Sequence, residues 1–240
     1  TRARNVLAQL SAFYSWALPQ LDKLPANPCR DAGRPPKPVA RDRVLSDLEL
    51  AALWSVAKSE TFPWGPALKL LMLTGARRSE VFDADKAEID VNSKEWVIPA
   101  ERAKNGLPHI VPLSAEALSV IKDIPASVES PKLFPAMGNP ENGPSGHSRA
   151  LTRFRRSLDK RLKREHAERW TLHDIRRTVA TGLQRLGVRF EVTEAVLNHV
   201  SGAKGGIAGV YQRHDWKAEK RKALDAWAKH LNALTKKYGS

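Results

Sequence analysis

The chain has 240 residues, 42% of them hydrophobic, enough for one large domain with or without an appendage. Forty Lys or Arg against 26 Asp or Glu give a formal net charge of +14, which favours a polyanionic partner without separating DNA from RNA or an anionic membrane. No apolar run approaches the ~20 residues of a membrane-spanning helix, no signal-peptide pattern opens the chain, and the single Cys29 excludes an internal disulfide framework and fits a reducing cytoplasm.

The chain opens at Thr1, without methionine and inside a helical pattern, so a fragment or processed form is expected. Val6, Leu10, Phe13, Tyr14 and Leu18 stand near helical spacing and predict one amphipathic helix over residues 1–18. Pro25, Pro28, Pro35, Pro36 and Pro38, with Gly33 among them, then predict a stiff non-helical linker, and five prolines in fourteen residues fit a domain boundary better than an ordinary loop. The next domain opens with Ser46-Asp47-Leu48-Glu49, the form of a capping box, followed by a stripe of Leu50, Leu53, Trp54 and Ala57.

Pro63 and Pro66 suit the first turn of a helix whose buried face is Leu68, Leu71 and Met72, and Gly75 is placed to stop it in a left-handed conformation. A further helix is expected from near Ser79. Between Ile89 and Leu113 the pattern changes to β-formers, Trp96-Val97-Ile98 and His109-Ile110-Val111, on either side of Asn105-Gly106, which predicts a small antiparallel sheet with a hairpin turn.

Residues 125–148, rich in Pro, Gly, Ser and Asn, read as a loop. From Arg149 to Arg189, 13 Lys or Arg stand against 4 Asp or Glu, a local excess of nine. Leu151, Phe154, Leu158 and Leu162 form the apolar side of a helix there. A basic helix face is usually only solvated, but this concentration of charge favours a phosphate-facing surface, with Arg153, Arg155, Arg156, Lys160 and Arg177 as candidate DNA contacts. Near the C-terminus, Leu224, Trp227, Leu231 and Leu234 recur at spacings of three and four, a stripe that packs either within the chain or on a neighbour.

Five separated segments can gather around one phosphate. Arg77 stands in Thr74-Gly75-Ala76-Arg77-Arg78-Ser79-Glu80, and Lys104 precedes the Asn105-Gly106 turn. His173 and Arg176 stand three apart in Thr171-Leu172-His173-Asp174-Ile175-Arg176-Arg177-Thr178, His199 follows Leu197-Asn198, and Tyr211 follows a glycine-rich stretch. Arginine forks match phosphate oxygens in pairs, histidine moves protons near neutral pH, and a tyrosine oxygen can be a covalent nucleophile. Taken singly each segment is weak, since an arginine after a glycine turn, a turn lysine or a lone HxxR is commonplace.

Their order and wording resemble the tyrosine recombinases, specifically the prophage-type integrases, over about residues 40–215. The resemblance implies a mainly α fold with a small antiparallel sheet (α+β). It divides the chain into the end of a truncated core-binding domain (1–26), a Pro-rich linker (27–40) and a catalytic domain with a C-terminal helix (41–240). It assigns Arg77 and Arg176 to the scissile phosphate, with Glu80 buttressing Arg77. His173 is assigned to proton transfer and a non-bridging oxygen, His199 to a phosphate contact, Lys104 to general-acid protonation of the leaving 5′ oxygen, and Tyr211 to the nucleophile. Asp174 would orient or cap rather than catalyse, and Arg78, one place late in the pattern, is expected to face elsewhere. Where the family commonly carries leucine and tryptophan this chain has Ala84 and Lys86, a change in helix packing rather than chemistry.

The implied activity is cleavage and rejoining of DNA through a 3′-phosphotyrosine, for integration or excision of a mobile element. The expected partners are double-stranded attachment sites, directionality or bending factors, and three further copies in a synaptic tetramer, the free protein being monomeric. The setting is the cytoplasm, on nucleoid DNA, with no membrane. A type IB topoisomerase and a non-catalytic DNA-binding module remain as alternatives. The seven histidines include no HExxH, one cysteine cannot build a thiolate zinc site, and no Walker-type loop appears, so neither metal nor cofactor is expected.

Overall fold

The computed structural model describes residues 2–21, 23–37, 41–125, 129–165, 168–199 and 215–239. The chain divides into two compact units, Thr1–Asp42 and Arg43–Ser240. In the first, helix α1 (Arg2–Ala17) and a 3₁₀ turn (Leu18–Gln20) are followed by a loop that folds back through one side chain. Asn27 donates to the Ser11 carbonyl at 2.8 Å and the Ser15 hydroxyl at 2.9 Å, while its own oxygen accepts from the Cys29 amide. Among the apolar residues that predicted this helix, Val6, Leu10 and Phe13 are exposed, as is Trp16.

The second unit is built around α3 (Trp64–Thr74), which is apolar apart from Lys69 and the C-terminal Thr74: Leu68, Leu70, Leu71 and Met72 are all buried. A helix of that composition has to be surrounded, and α3 packs against α2 (Asp47–Ser59), α4 (Arg78–Phe82), α5 (Ala115–Lys122), α7 (Leu172–Arg185) and α9 (Lys217–Tyr238). The expected capping box opens α2: the Ser46 hydroxyl accepts from the Glu49 amide, and the Glu49 carboxylate accepts from the Ser46 amide at 2.8 Å. Helix α6 (His147–Arg161) buries Ala150, Phe154 and Leu158 and lies on α2. Helix α8 (Phe190–Val196) follows α7 and packs on α9. Among the described residues no helix is long and apolar enough to cross a membrane.

The chain is thus mainly helical with, among the described residues, one small antiparallel sheet of order β1-β2-β3, formed by Ile89–Asp90, Glu95–Ile98 and His109–Pro112. Trp96 lies opposite Val111 and Ile98 opposite His109, where the β2–β3 ladder ends. The strands flank the Asn105-Gly106 turn as expected, with further residues between each strand and that turn. Residues 99–108 form the loop, bounded by Pro99 and Pro108, neither of which can donate to a ladder. Gly106 makes its turn at φ +67 inside that loop.

The C-terminal stripe packs within the chain. Leu224, Trp227, Leu231 and Leu234 of α9 are buried, and Trp227 Nε1 donates to the Met72 carbonyl at 2.7 Å. Trp227 fits only because Gly182 of α7 has no side chain: a Cβ there would lie 2.2 Å from Trp227 Cζ3. Alanine gains about 1 kcal/mol of helix propensity, but overpacking a held indole costs about 1–3 kcal/mol. We expect Gly182→Ala to lower the melting temperature and shift tryptophan fluorescence; an unchanged or higher melting temperature would show that α9 yields readily.

Candidate active site

The site begins where α3 stops. Gly75 adopts φ +64, ends the helix, and brings its backbone against Val179 of α7, whose Cγ1 would lie 3.0 Å from a Cβ at that position. The chain then restarts as α4 through Arg77 and Glu80. The buried Glu80 carboxylate accepts from the Arg77 amide at 2.7 Å and from Arg77 Nη1 at 2.6 Å. The three-residue spacing lets one carboxylate close the first helical turn and orient the guanidinium together. Arg77 Nη2 donates to the Asn198 carbonyl at 3.0 Å.

Helix α7 supplies the second guanidinium. Its first turn is closed by Asp174, buried and accepting from the Thr171 amide at 2.8 Å and the Thr171 hydroxyl at 2.9 Å. Asp174 therefore caps, as its sequence position suggests, and it also accepts from Arg177. Two residues beyond Asp174, Arg176 is 4% exposed and donates to the Gly75 carbonyl at 2.8 Å and to the Leu197 carbonyl. Burial, and then the neighbouring Arg77 charge, bring its pKa down to about 10, so it stays cationic at neutral pH. One turn earlier His173 is exposed; desolvation of its ring, then Arg176 and Arg177, hold its pKa below the ordinary histidine value and favour the neutral imidazole.

The carbonyls that receive these arginines come from the end of α8. The Val196, Leu197 and Asn198 oxygens meet His109, Arg176 and Arg77 in turn. Asn198 has φ +49, a left-handed conformation that asparagine tolerates better than most residues. It leads directly to His199, whose Nδ1 lies 3.0 Å from Glu194 Oε1. A carboxylate only accepts, so Nδ1 carries the proton in that bond.

A cleft of about 390 Å³ gathers Arg77, Lys104, His173 and Arg176, together with Arg78, Ser79, His147 and Ser148. Four residues singled out from scattered sequence segments thus share one cavity, and His199 follows the carbonyl that holds Arg77. Tyr211 lies outside the described residues. Arg78 was expected to face elsewhere but lines the cleft beside Arg77. His147, stacked edge-on against Phe82 and Trp64, escaped sequence reading inside a Gly- and Ser-rich stretch with no distinguishing pattern. Among the described residues no group of three or more His, Cys, Asp or Glu could hold a metal ion.

Several basic residues predicted to face DNA make contacts within the protein. Arg153 Nε donates to Glu60 at 2.9 Å, Arg155 Nε donates to the Trp170 carbonyl at 2.7 Å, and Arg177 pairs with Asp174. Arg156 and Lys160 are exposed and line a second concavity with Arg164 and Arg169.

His109, on β3, is the site's hidden titratable group. It is 7% exposed and donates from Nε2 to the Val196 carbonyl at 3.1 Å; desolvation and then the Lys220 charge push its pKa down to about 3. The unfolded chain therefore protonates first. This contribution to stability is complete above about pH 6.5 and is lost progressively as pH falls towards about 3. One proton over about 1.5 pH units corresponds to about 2 kcal/mol between pH 6.5 and 5. We expect His109→Gln, which keeps a donor for Val196, to flatten the fall in urea midpoint over that range; an unaltered slope would contradict the neutral buried ring.

The phage integrase family model matches residues 44–215. The prophage integrase IntA of Escherichia coli K12 is 31% identical over 163 residues, covering 68% of this chain and 37% of that protein, so the chain spans little over a third of that relative's length. Among solved structures, the integrase from mycobacterium phage Brujita superposes with a TM-score of 0.58 at 18% identity, over 96% of this chain and 76% of that one. A lambda integrase dimer bound to a COC′ core site gives 0.60 at 17% identity, over 90% and 59%. XerA recombinase gives 0.54 at 17% identity, over 93% and 73%. The fold is that of these recombinases, and the match over residues 44–215 makes this chain a member of the phage integrase family.

Proposed function

We propose that this chain carries the catalytic part of a site-specific DNA recombinase, a prophage-type integrase that acts through a 3′-phosphotyrosine. The observation that carries this reading is the convergence of two carbonyl-anchored arginines, Arg77 and Arg176, with Lys104 and His173 in one cleft. Guanidiniums held before substrate arrives need little reorganisation when charge builds on a phosphate, and such preorganised electrostatics is usually the largest catalytic contribution.

In the reaction, the Tyr211 oxygen attacks the scissile phosphorus, the P–O5′ bond breaks, and a 3′-phosphotyrosyl link forms. The neutral ring of His173 takes the tyrosine proton, and Lys104 gives a proton to the departing 5′ oxygen. Arg77, Arg176 and His199 hold the non-bridging oxygens of the pentacoordinate phosphate. A 5′ hydroxyl from the partner strand then attacks the phosphotyrosine and returns the tyrosine, so the energy of the original phosphodiester is conserved. Neither a metal nor a nucleotide is required in this scheme.

Arg156 and Lys160 are the foremost candidates for contacts to flanking phosphates, with Arg153, Arg155 and Arg177 as secondary ones. Residues 1–26 are assigned to the end of a core-binding domain, 27–40 to a linker and 41–240 to the catalytic domain. The lambda integrase tetramer bound to a Holliday junction supports a similar four-copy assembly here, formed on double-stranded attachment sites by a protein that is monomeric when free. Directionality or bending factors, and a cytoplasmic, nucleoid-associated setting, follow from the same reading.

Nicked suicide substrates bearing candidate attachment DNA test the scheme. The parent should form a covalent adduct and Tyr211→Phe none; an undiminished adduct in the variant would refute the nucleophile assignment. Relaxation of supercoiled plasmid without strand exchange by the full-length protein would instead favour a topoisomerase. Lys104→Ala should slow cleavage on the order of a hundredfold or more, within the usual range for a general acid, and a 5′-bridging sulfur should restore it. Absence of that restoration would count against Lys104 as the acid.

A further inference from the structure

Asn198 holds more than Arg77. Its carboxamide faces that of Asn105: Asn105 Nδ2 donates to Asn198 Oδ1 at 2.9 Å, and Asn198 Nδ2 returns a longer bond of 3.4 Å. Asn105 immediately follows Lys104 on the β2–β3 loop. Two residues before Lys104, Arg102 donates to the Glu80 carbonyl at 2.9 Å and pairs with Glu88 at 2.6 Å. Lys104 is therefore bracketed by tertiary anchors on both sides, while its own side chain is exposed.

We propose that Asn105 and Asn198 form a latch that positions Lys104 relative to the arginine clamp. This rests on the recombinase reading. Asn198 is suited to the task because one residue makes both connections. Its carbonyl takes Arg77, and its carboxamide takes the loop that carries the lysine. Glycine would satisfy the left-handed backbone at φ +49 and would keep the carbonyl, but it would supply no carboxamide. The latch also shapes the loop from within, since Asn105 Oδ1 accepts from the Leu107 amide at 3.2 Å. Asn105 and Asn198 are positioning residues; neither needs to touch DNA.

Two measurements test the proposal. Hydrogen–deuterium exchange on the DNA-free protein reads the latch itself. Asn198→Gly and Asn105→Ala should speed exchange of the Gly106 and Leu107 amides severalfold and leave α2 and α3 unchanged. Single-turnover cleavage of a nicked suicide substrate reads the consequence. Each variant should cleave the oxygen-linked substrate about fivefold more slowly, the size expected for one net hydrogen bond, with DNA affinity unchanged. The double variant should be no slower than the slower single one, and a 5′-bridging sulfur should restore the parent rate. Unchanged exchange in both variants overturns the latch whatever the activity. Parent-like cleavage, or an equal loss on oxygen and sulfur substrates, overturns its link to Lys104. Failure of the parent to form any adduct would instead tell against the recombinase reading, and the exchange result alone would then decide the latch.

Discussion

Three successive carbonyls at the open end of α8 organise the site. The last carbonyls of a helix have no partner within it, and the helix dipole makes that end attractive to cations. Here Val196 takes the neutral His109, Leu197 takes Arg176 and Asn198 takes Arg77. Orphan acceptors that a helix must satisfy somehow are satisfied by two guanidiniums and an imidazole from three other parts of the chain. Arg77 comes from the break between α3 and α4, Arg176 from α7 and His109 from β3.

Like charges gathered in one site cost electrostatic energy. Two guanidiniums lie close enough for Arg77 to help depress the Arg176 pKa, and Arg176 is almost fully buried. Glu80 and Glu194 offset part of that repulsion, and the carbonyls of Gly75, Leu197 and Asn198 supply the rest of the hydrogen bonding. Such a site has a strong physical preference for an anion. Desolvation, and then the same positive surroundings, hold His173 towards its neutral form, the state a proton acceptor requires. Arg78, which also opens on the cleft, increases the field further.

The local parts of this design were legible in the sequence. Glu80 stands three residues from Arg77 in the motif whose resemblance couples it to that arginine, and Asp174 stands three from Thr171; both close the first turn of their helices. Gly75 ends α3 as its position predicts. Connections between distant segments were not legible from spacing. Nothing near Asn198 in sequence announces a bond to Asn105, 93 residues away, and nothing near Arg153 announces Glu60. The same blindness made the basic stretch look more available than it is, since Arg153, Arg155 and Arg177 have partners within the fold. The β-formers at Trp96–Ile98 and His109–Val111 and the turn at Asn105-Gly106 are legible, but the tertiary role of the residues between them is not. The ladder stops at Ile98 and His109, leaving a loop that reaches Asn198.

In the proposed reaction the arginine clamp holds a phosphate for attack by one particular tyrosine. The most direct test is to trap the covalent protein–DNA complex on attachment-site DNA, digest it, and identify the linked residue and DNA end by mass spectrometry. The expected result is a single link from Tyr211 to a 3′ phosphate, with a free 5′ hydroxyl on the other strand end. Linkage through Tyr14, Tyr238 or a serine, or attachment to a 5′ phosphate, would contradict it.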